Sequence, residues 1–270
     1  MPVAFQVISL KDPIGRCNTI LYRSPVTSFP SRVVILFPGD VSDFAFSRRS
    51  DPLIAGDPDL LKYEYCLDAL AWTLASHVSD SDAVLIIKPT MMIGHFSIFS
   101  NFLVCDPTGT PRWADMESSR GTVSSSQALT WVLQDLGMAS SVRGEEIKIC
   151  LLGFSKGCVV LSAILRDHDT ELLKRIESIG FIDPGTHTPG SSFPFTDLEY
   201  AAFPMSIPIT VWSSPYQFKD PRRAWLRGEI SEFVSKASAT LSLVAVGEEA
   251  SLSVHFHSID LALREHFRRI

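Results

Sequence analysis

The chain is short of the signatures that announce a metal, a nucleotide or a secretory route. It has no CxxC pair, no GxGxxG after an apolar run, no GxxxxGK followed by Ser or Thr, no HExxH and no calcium-binding loop. Dinucleotide, P-loop, zincin and EF-hand chemistries therefore have no foothold. His255 and His257 stand two apart without a third ligand at a readable spacing, so neither a metal nor a cofactor is expected. The five cysteines are an odd number, and Cys150 and Cys158 lie inside apolar runs, where a thiol behaves as a small hydrophobe. That usage fits a reducing compartment rather than a disulfide framework. Asn-x-Ser/Thr is absent too.

Charged residues make up only 20% of the 270 residues and sum to a net charge of -6. Nucleic acid is thereby disfavoured as a partner, because neutralising phosphates takes clustered Lys and Arg. Arg222 with Arg223 is the one tight basic pair near the loops that matter below. The longest uncharged stretch, Pro89 to Cys105, holds His95 and Asn101 and falls short of a bilayer span, so no transmembrane segment is expected. The opening run Val3–Leu10 reads as a strand, not as a signal peptide or an Arg-rich presequence. An intracellular protein is expected, cytoplasmic or mitochondrial.

What is present is an alternation. Phe5–Leu10, Asn18–Arg23, Arg32–Phe37, Ala83–Ile87, Ile147–Phe154, Ile176–Ile182, Ile207–Trp212 and Thr240–Val246 read as strands. Helical spacing appears from near Asp59 (with Asp57 or Asp59 as cap), over Ser124–Leu136, Gly157–Arg166 and Arg223–Ser235, and over Ser258–Phe267 with Ser258 as its cap. Strands alternating with helices imply a mainly parallel, doubly wound α/β sheet of about eight strands, covered on both faces. One domain over residues 1–270 is expected. Two long connections, near 89–121 and 184–206, follow the C-terminal ends of strands, where such sheets place their ligands, and read as lid-like insertions.

Gly153-Phe154-Ser155-Lys156-Gly157 joins the apolar run Ile147–Leu152 directly to a helix containing Val159, Val160, Leu161 and Ile164. Gly-x-Ser-x-Gly by itself is weak, but a strand–turn–helix setting is that of a nucleophile elbow, which exposes its serine on a strained turn. An attacking Ser155 needs donors for the oxyanion it creates. The backbone N–H of Lys156 and that of Gly39 or Asp40, in the turn after the third strand, are the candidates, since Pro38 has none. The Lys156 side chain is expected to stay hydrated. His95, in the apolar run Met91–Phe96, reads as an ordinary loop histidine.

A base must take the proton from Ser155, and in the order Ser–acid–His it follows the last strand. His257, just before Ser258, is preferred; His255 is the alternate, and His266 reads as a surface residue of the last helix. For the acid, Asp220 follows the seventh strand and is preferred, with Asp183, at the end of Ile176–Ile182, as alternate.

Around the elbow the sequence Leu151-Leu152-Gly153-Phe154-Ser155-Lys156-Gly157-Cys158-Val159-Val160-Leu161 resembles the eukaryotic family named for chromosome two open reading frame sixty-nine. Phe37-Pro38-Gly39-Asp40-Val41 and Ser214-Pro215-Tyr216-Gln217-Phe218-Lys219-Asp220-Pro221-Arg222 are similar to that family as well. The resemblance implies an esterase-like α/β-hydrolase fold and a mitochondrial setting. The expected function is a serine hydrolase acting on an ester, thioester or amide, with a small or lipid-like acyl substrate bordered by Met91–Leu103. The rival is a catalytically silent hydrolase fold that binds a protein partner.

Overall fold

A computed structural model describes residues 5–27, 29–44, 47, 62–118, 124–138, 146–203, 206–244 and 250–270. The β-branched runs form strands, as their pattern requires: β1 Gln6–Lys11, β2 Cys17–Arg23, β3 Arg32–Phe37 and β4 Ala83–Ile87 come first. A short hairpin of β5 Met91–Ile93 and β6 Phe96–Ile98 stands apart from the main sheet. Then follow β7 Lys148–Phe154, β8 Ile176–Ile182, β9 Ile209–Ser213 and β10 Thr240–Leu243. The eight strands of the main sheet lie in the order β1-β2-β4-β3-β7-β8-β9-β10. Pairing is antiparallel for β1–β2 and β2–β4 and parallel from β4 through β10.

Among the described residues the helices with described bounds are α1 Leu67–Ala75, α2 Trp113–Ser118, α3 Ser125–Asp135, α4 Cys158–Asp167, α5 Thr170–Arg175, α6 Asp197–Ala201, α7 Pro215–Phe218, α8 Ala224–Lys236 and α9 Leu252–Arg269. Period-two alternation along the strands sorts side chains into two cores. Val33, Ile35 and Leu151 face α3, α4 and α8, whereas Val34, Leu36 and Leu152 face α1 and α9. Each fully buried side chain of this size contributes about 1.5–3 kcal/mol, and β7, between β3 and β8, is buried along its length beyond Lys148. Among the described residues no helix is long and apolar enough to cross a membrane.

Two helix starts differ from the sequence reading. The first helix begins at Leu67 with the Cys66 sulfur accepting from the Ala69 N–H; Asp57 and Asp59 lie outside the described residues. The last helix begins at Leu252, six residues early, because Ser251 caps it by accepting from the Val254 N–H. Ser258, expected as the cap, sits inside the helix and donates back to the His255 carbonyl. The two long connections hold the hairpin with α2, and α6 with its Thr196–Glu199 capping box.

Candidate active site

The turn from β7 into α4 is tight. Ser155 takes φ +51, in the left-handed region, and opens a 3-10 turn Ser155–Gly157. Only glycine fits at 157, since a Cβ there would collide with the Phe37 carbonyl. At Gly39 a Cβ would sit 2.6 Å from the Ser155 Cβ, so the turn after β3 is pressed directly against Ser155. These two glycines bring the backbone of the Pro38–Asp40 turn up to the serine.

That turn is held from both sides. Val41, at φ +66, donates its N–H to the His95 carbonyl, and Ser97 donates its N–H to Asp40 Oδ1 and its hydroxyl to the Gly39 carbonyl. Lys156, expected in solvent, is 1% exposed. Its Nζ lies 3.1 Å from Asp40 Oδ2, donates to the Thr108 carbonyl at 2.5 Å and sits over the Phe96 ring. The reason for the correction is the elbow itself: it turns residue 156 inward beneath the hairpin, where a cation needs a carboxylate partner. Burial by itself would raise the Asp40 carboxyl. The His187 ring, the Lys156 ammonium and the Ser97 N–H together hold it below the ordinary carboxylate range. His95 itself is exposed, its ring against Phe96.

Behind the serine, β8 ends at Asp183, fully buried and at φ +47. Its Oδ1 accepts from the Ser214 N–H at 2.7 Å, and its Oδ2 accepts from the Ser214 hydroxyl and from His255 Nδ1, each at 2.5 Å. A carboxylate facing Nδ1 assigns the proton to that nitrogen and leaves Nε2 as the accepting face. The His255 ring is flanked by Phe154 and Tyr216, at 4.5 and 4.6 Å between centroids. Ser155 and His255 line one small cavity of about 50 Å³, together with Asp40, His187, Gln217 and Arg223.

The preferred acid and base lie elsewhere. Asp220 caps the 3-10 turn Pro221–Arg223 and accepts from the guanidiniums of Arg222 and Arg223, which with the Arg222 N–H bring its carboxyl down to about 2. His257 is exposed on α9 and meets the Ser253 hydroxyl. Residues two apart on a helix differ by about 200°, so His255 and His257 cannot share a face once α9 begins at Leu252. His266, expected on the surface, is buried, with Nε2 3.1 Å from the Cys150 sulfur and 3.0 Å from the Ser178 hydroxyl.

The sequence reading missed the Ser214 hydroxyl on the acid, the Tyr216 ring on the base and the Lys156 ion pair. A signal existed for the first two: Asp183 and Ser214 both lie just beyond the ends of adjacent parallel strands. Met91–Leu103 packs on the turn after β3 but does not line the small cavity. A much larger groove of about 830 Å³, bordered by Phe102, Leu103, Trp113, Met116 and Arg166, contains none of Ser155, Asp183 and His255. Its size alone gives it no chemistry. Among the described residues no three His, Cys, Asp or Glu side chains gather as a metal site.

The chain matches the model of the C2orf69 family over residues 6–136 and 122–240. It is 27% identical over 262 residues to the mitochondrial protein C2orf69 homolog of Danio rerio, covering 88% of this chain and 72% of that one. With the Homo sapiens mitochondrial protein C2orf69 it is 23% identical over 298 residues, covering 88% and 73%. Among solved structures it resembles carboxyl esterase 2 of Tuber melanosporum, with a TM-score of 0.54 and 16% identity over 98% of this chain and 86% of that one. A dienelactone hydrolase-like promiscuous phosphotriesterase from metagenomic libraries gives a TM-score of 0.55 at 12% identity, covering 98% of both chains. The fold is that of the α/β-hydrolases.

Proposed function

The chain belongs to the C2orf69 family, and from that premise we propose that it is a serine hydrolase using Ser155, His255 and Asp183. The observation that carries the reading is the buried Asp183–His255 pair, with its accepting nitrogen left over and its ring lining the same cavity as a serine at positive φ. Ser155 Oγ attacks the carbonyl carbon of an ester, thioester or amide while His255 Nε2 takes its proton. Asp183 holds the imidazole in the accepting tautomer and stabilises the cation that forms. The N–H groups of Lys156 and of Gly39 or Asp40 receive the developing oxyanion. Collapse of the adduct expels the leaving group with the proton from His255, and water, activated by the same ring, then releases the acid. The names of these two relatives, each matched over 88% of this chain, support a mitochondrial setting.

Labelling by a fluorophosphonate probe tests this. Wild type labels, Ser155→Ala does not, and His255→Ala and Asp183→Asn label at least 100-fold more slowly. Asp220→Asn and His257→Ala label within a few-fold of wild type. A wild type that neither labels nor turns over esters makes the protein a silent hydrolase fold, and equal rates in Asp183→Asn and wild type remove the acid from that position.

A further inference from the structure

The small cavity is polar in a way the triad does not use. Arg223 lines it and is only 12% exposed. Its Nε donates to Asp220 Oδ2 at 3.3 Å, its Nη2 donates to the Tyr216 carbonyl at 3.3 Å, and its guanidinium lies 4.5 Å from the Tyr216 ring centroid. Nη1 has no partner among the described residues. The guanidinium is therefore fixed in place with donors to spare.

The charges around it do not cancel. Asp220 is shared between Arg223, in the cavity wall, and Arg222, which stands in solvent, so its single negative charge is not spent on Arg223 alone. Asp40, also in the cavity wall, is answered by Lys156, with His187 alongside. Gln217, 1% exposed in the same cavity, adds a second polar group. Its Nε2 donates to the Asp183 carbonyl, which can only accept, so the amide orientation is settled and its buried Oε1 has no partner. The unpartnered Gln217 oxygen calls for a donor on the occupant, and the Arg223 guanidinium calls for an acceptor, so the wall suits a polar occupant. The cavity is small, about 50 Å³, so a group seated beside Arg223 is compact.

We propose that Arg223 is the specificity-determining residue of this site and that the substrate is short and carries an anionic oxygen group, carboxylate or phosphate, close to the scissile carbonyl. The inference rests on the hydrolase reading above and adds the substrate class to it. Three substrates separate the sources of charge: 4-nitrophenyl acetate is neutral, mono(4-nitrophenyl) succinate carries a carboxylate on the acyl side, and acetyl phosphate carries phosphate on the leaving side. Wild type should turn over at least one anionic substrate with a kcat/KM tenfold or more above the neutral ester. In Arg223→Gln the ratio of anionic to neutral kcat/KM falls at least tenfold, and Arg223→Lys recovers part of it. A wild type without anionic preference, or an Arg223→Gln that lowers all three substrates by one common factor, overturns the assignment. If no substrate turns over and Ser155 does not label, the hydrolase reading fails separately. Calorimetric titration with succinate and with inorganic phosphate then decides the anion site. Binding by wild type that Arg223→Gln loses sustains it, and no binding by wild type overturns it.

Discussion

Acidification should unfold this protein through one histidine before it does so through the carboxylates. His266 is 3% exposed, wedged among Cys150, Ser178 and Trp212. Burial, and then the nearby Arg32 and Arg269, push its imidazole from 6.5 down to about 4. In the unfolded chain the same ring titrates near 6.5, so between those values the unfolded state binds a proton that the folded state refuses. The resulting stability is complete above about pH 6.5 and is lost as pH falls towards 4. A gap of about 2.5 units at about 1.4 kcal/mol each comes to about 3 kcal/mol, a large part of an ordinary domain's stability. Asp40, Asp220 and Glu199, whose carboxyls are depressed by their partners, act in the same direction but only below their unfolded values near 4. Buried Asp167 and Glu229 are raised and act in the opposite sense. In the interval from pH 6.5 to 5 it is therefore the difference between wild type and a variant lacking this imidazole that reports His266. Urea unfolding of wild type and His266→Gln at half-unit steps should show wild type losing about 2 kcal/mol across it, with the variant starting lower and staying flat. Parallel curves for the two proteins would refute the reasoning.

The remaining expectations concern the walls of the site. Lys156→Met leaves Asp40 without its buried cation and should cost about 3–5 kcal/mol in urea unfolding, part of which Asp40→Asn in the same chain restores. Gly39→Ala drives a methyl group against the Ser155 Cβ, so fluorophosphonate labelling should slow at least tenfold while near-UV circular dichroism stays that of the wild type.

The sheet was legible because its signal is local. Val33 to Phe37 and Ile149 to Phe154 are buried on both faces and read as unbroken apolar runs, and the glycines at 153 and 157 mark the elbow. The proposed acid and base were less legible because they depend on where a helix starts and which strand end lies beside which. Ser258 and Ser251 are both competent caps in sequence, and only packing of Phe256 and Ile259 against the sheet selects the earlier one. Choosing Ser258 left the histidines on an extended segment and promoted His257. Asp220 followed the expected strand, but the two arginines behind it occupy its carboxylate, whereas Asp183, one main-sheet strand earlier, is met by Ser214 through the β8–β9 register. Nothing local in the sequence reports that Lys156 would turn inward, since its partners lie at positions 40, 96 and 108.

The last helix carries two buried histidines with opposite surroundings, His255 and His266, one near each end. His255 stands in its first turn, against Asp183 and the rings of Phe154 and Tyr216, and His266 lies eleven positions on, about 16 Å along the axis, plugged between β7 and β8. In the proposed hydrolase the place of the base is thereby tied to the packing around Cys150 and Ser178. A bulky adduct on the Cys150 thiol, or a side chain at 266 that tilts the rod by a few degrees, would swing the imidazole at the far end away from Ser155. Such a lesion would silence the chemistry while every atom that touches substrate keeps its identity.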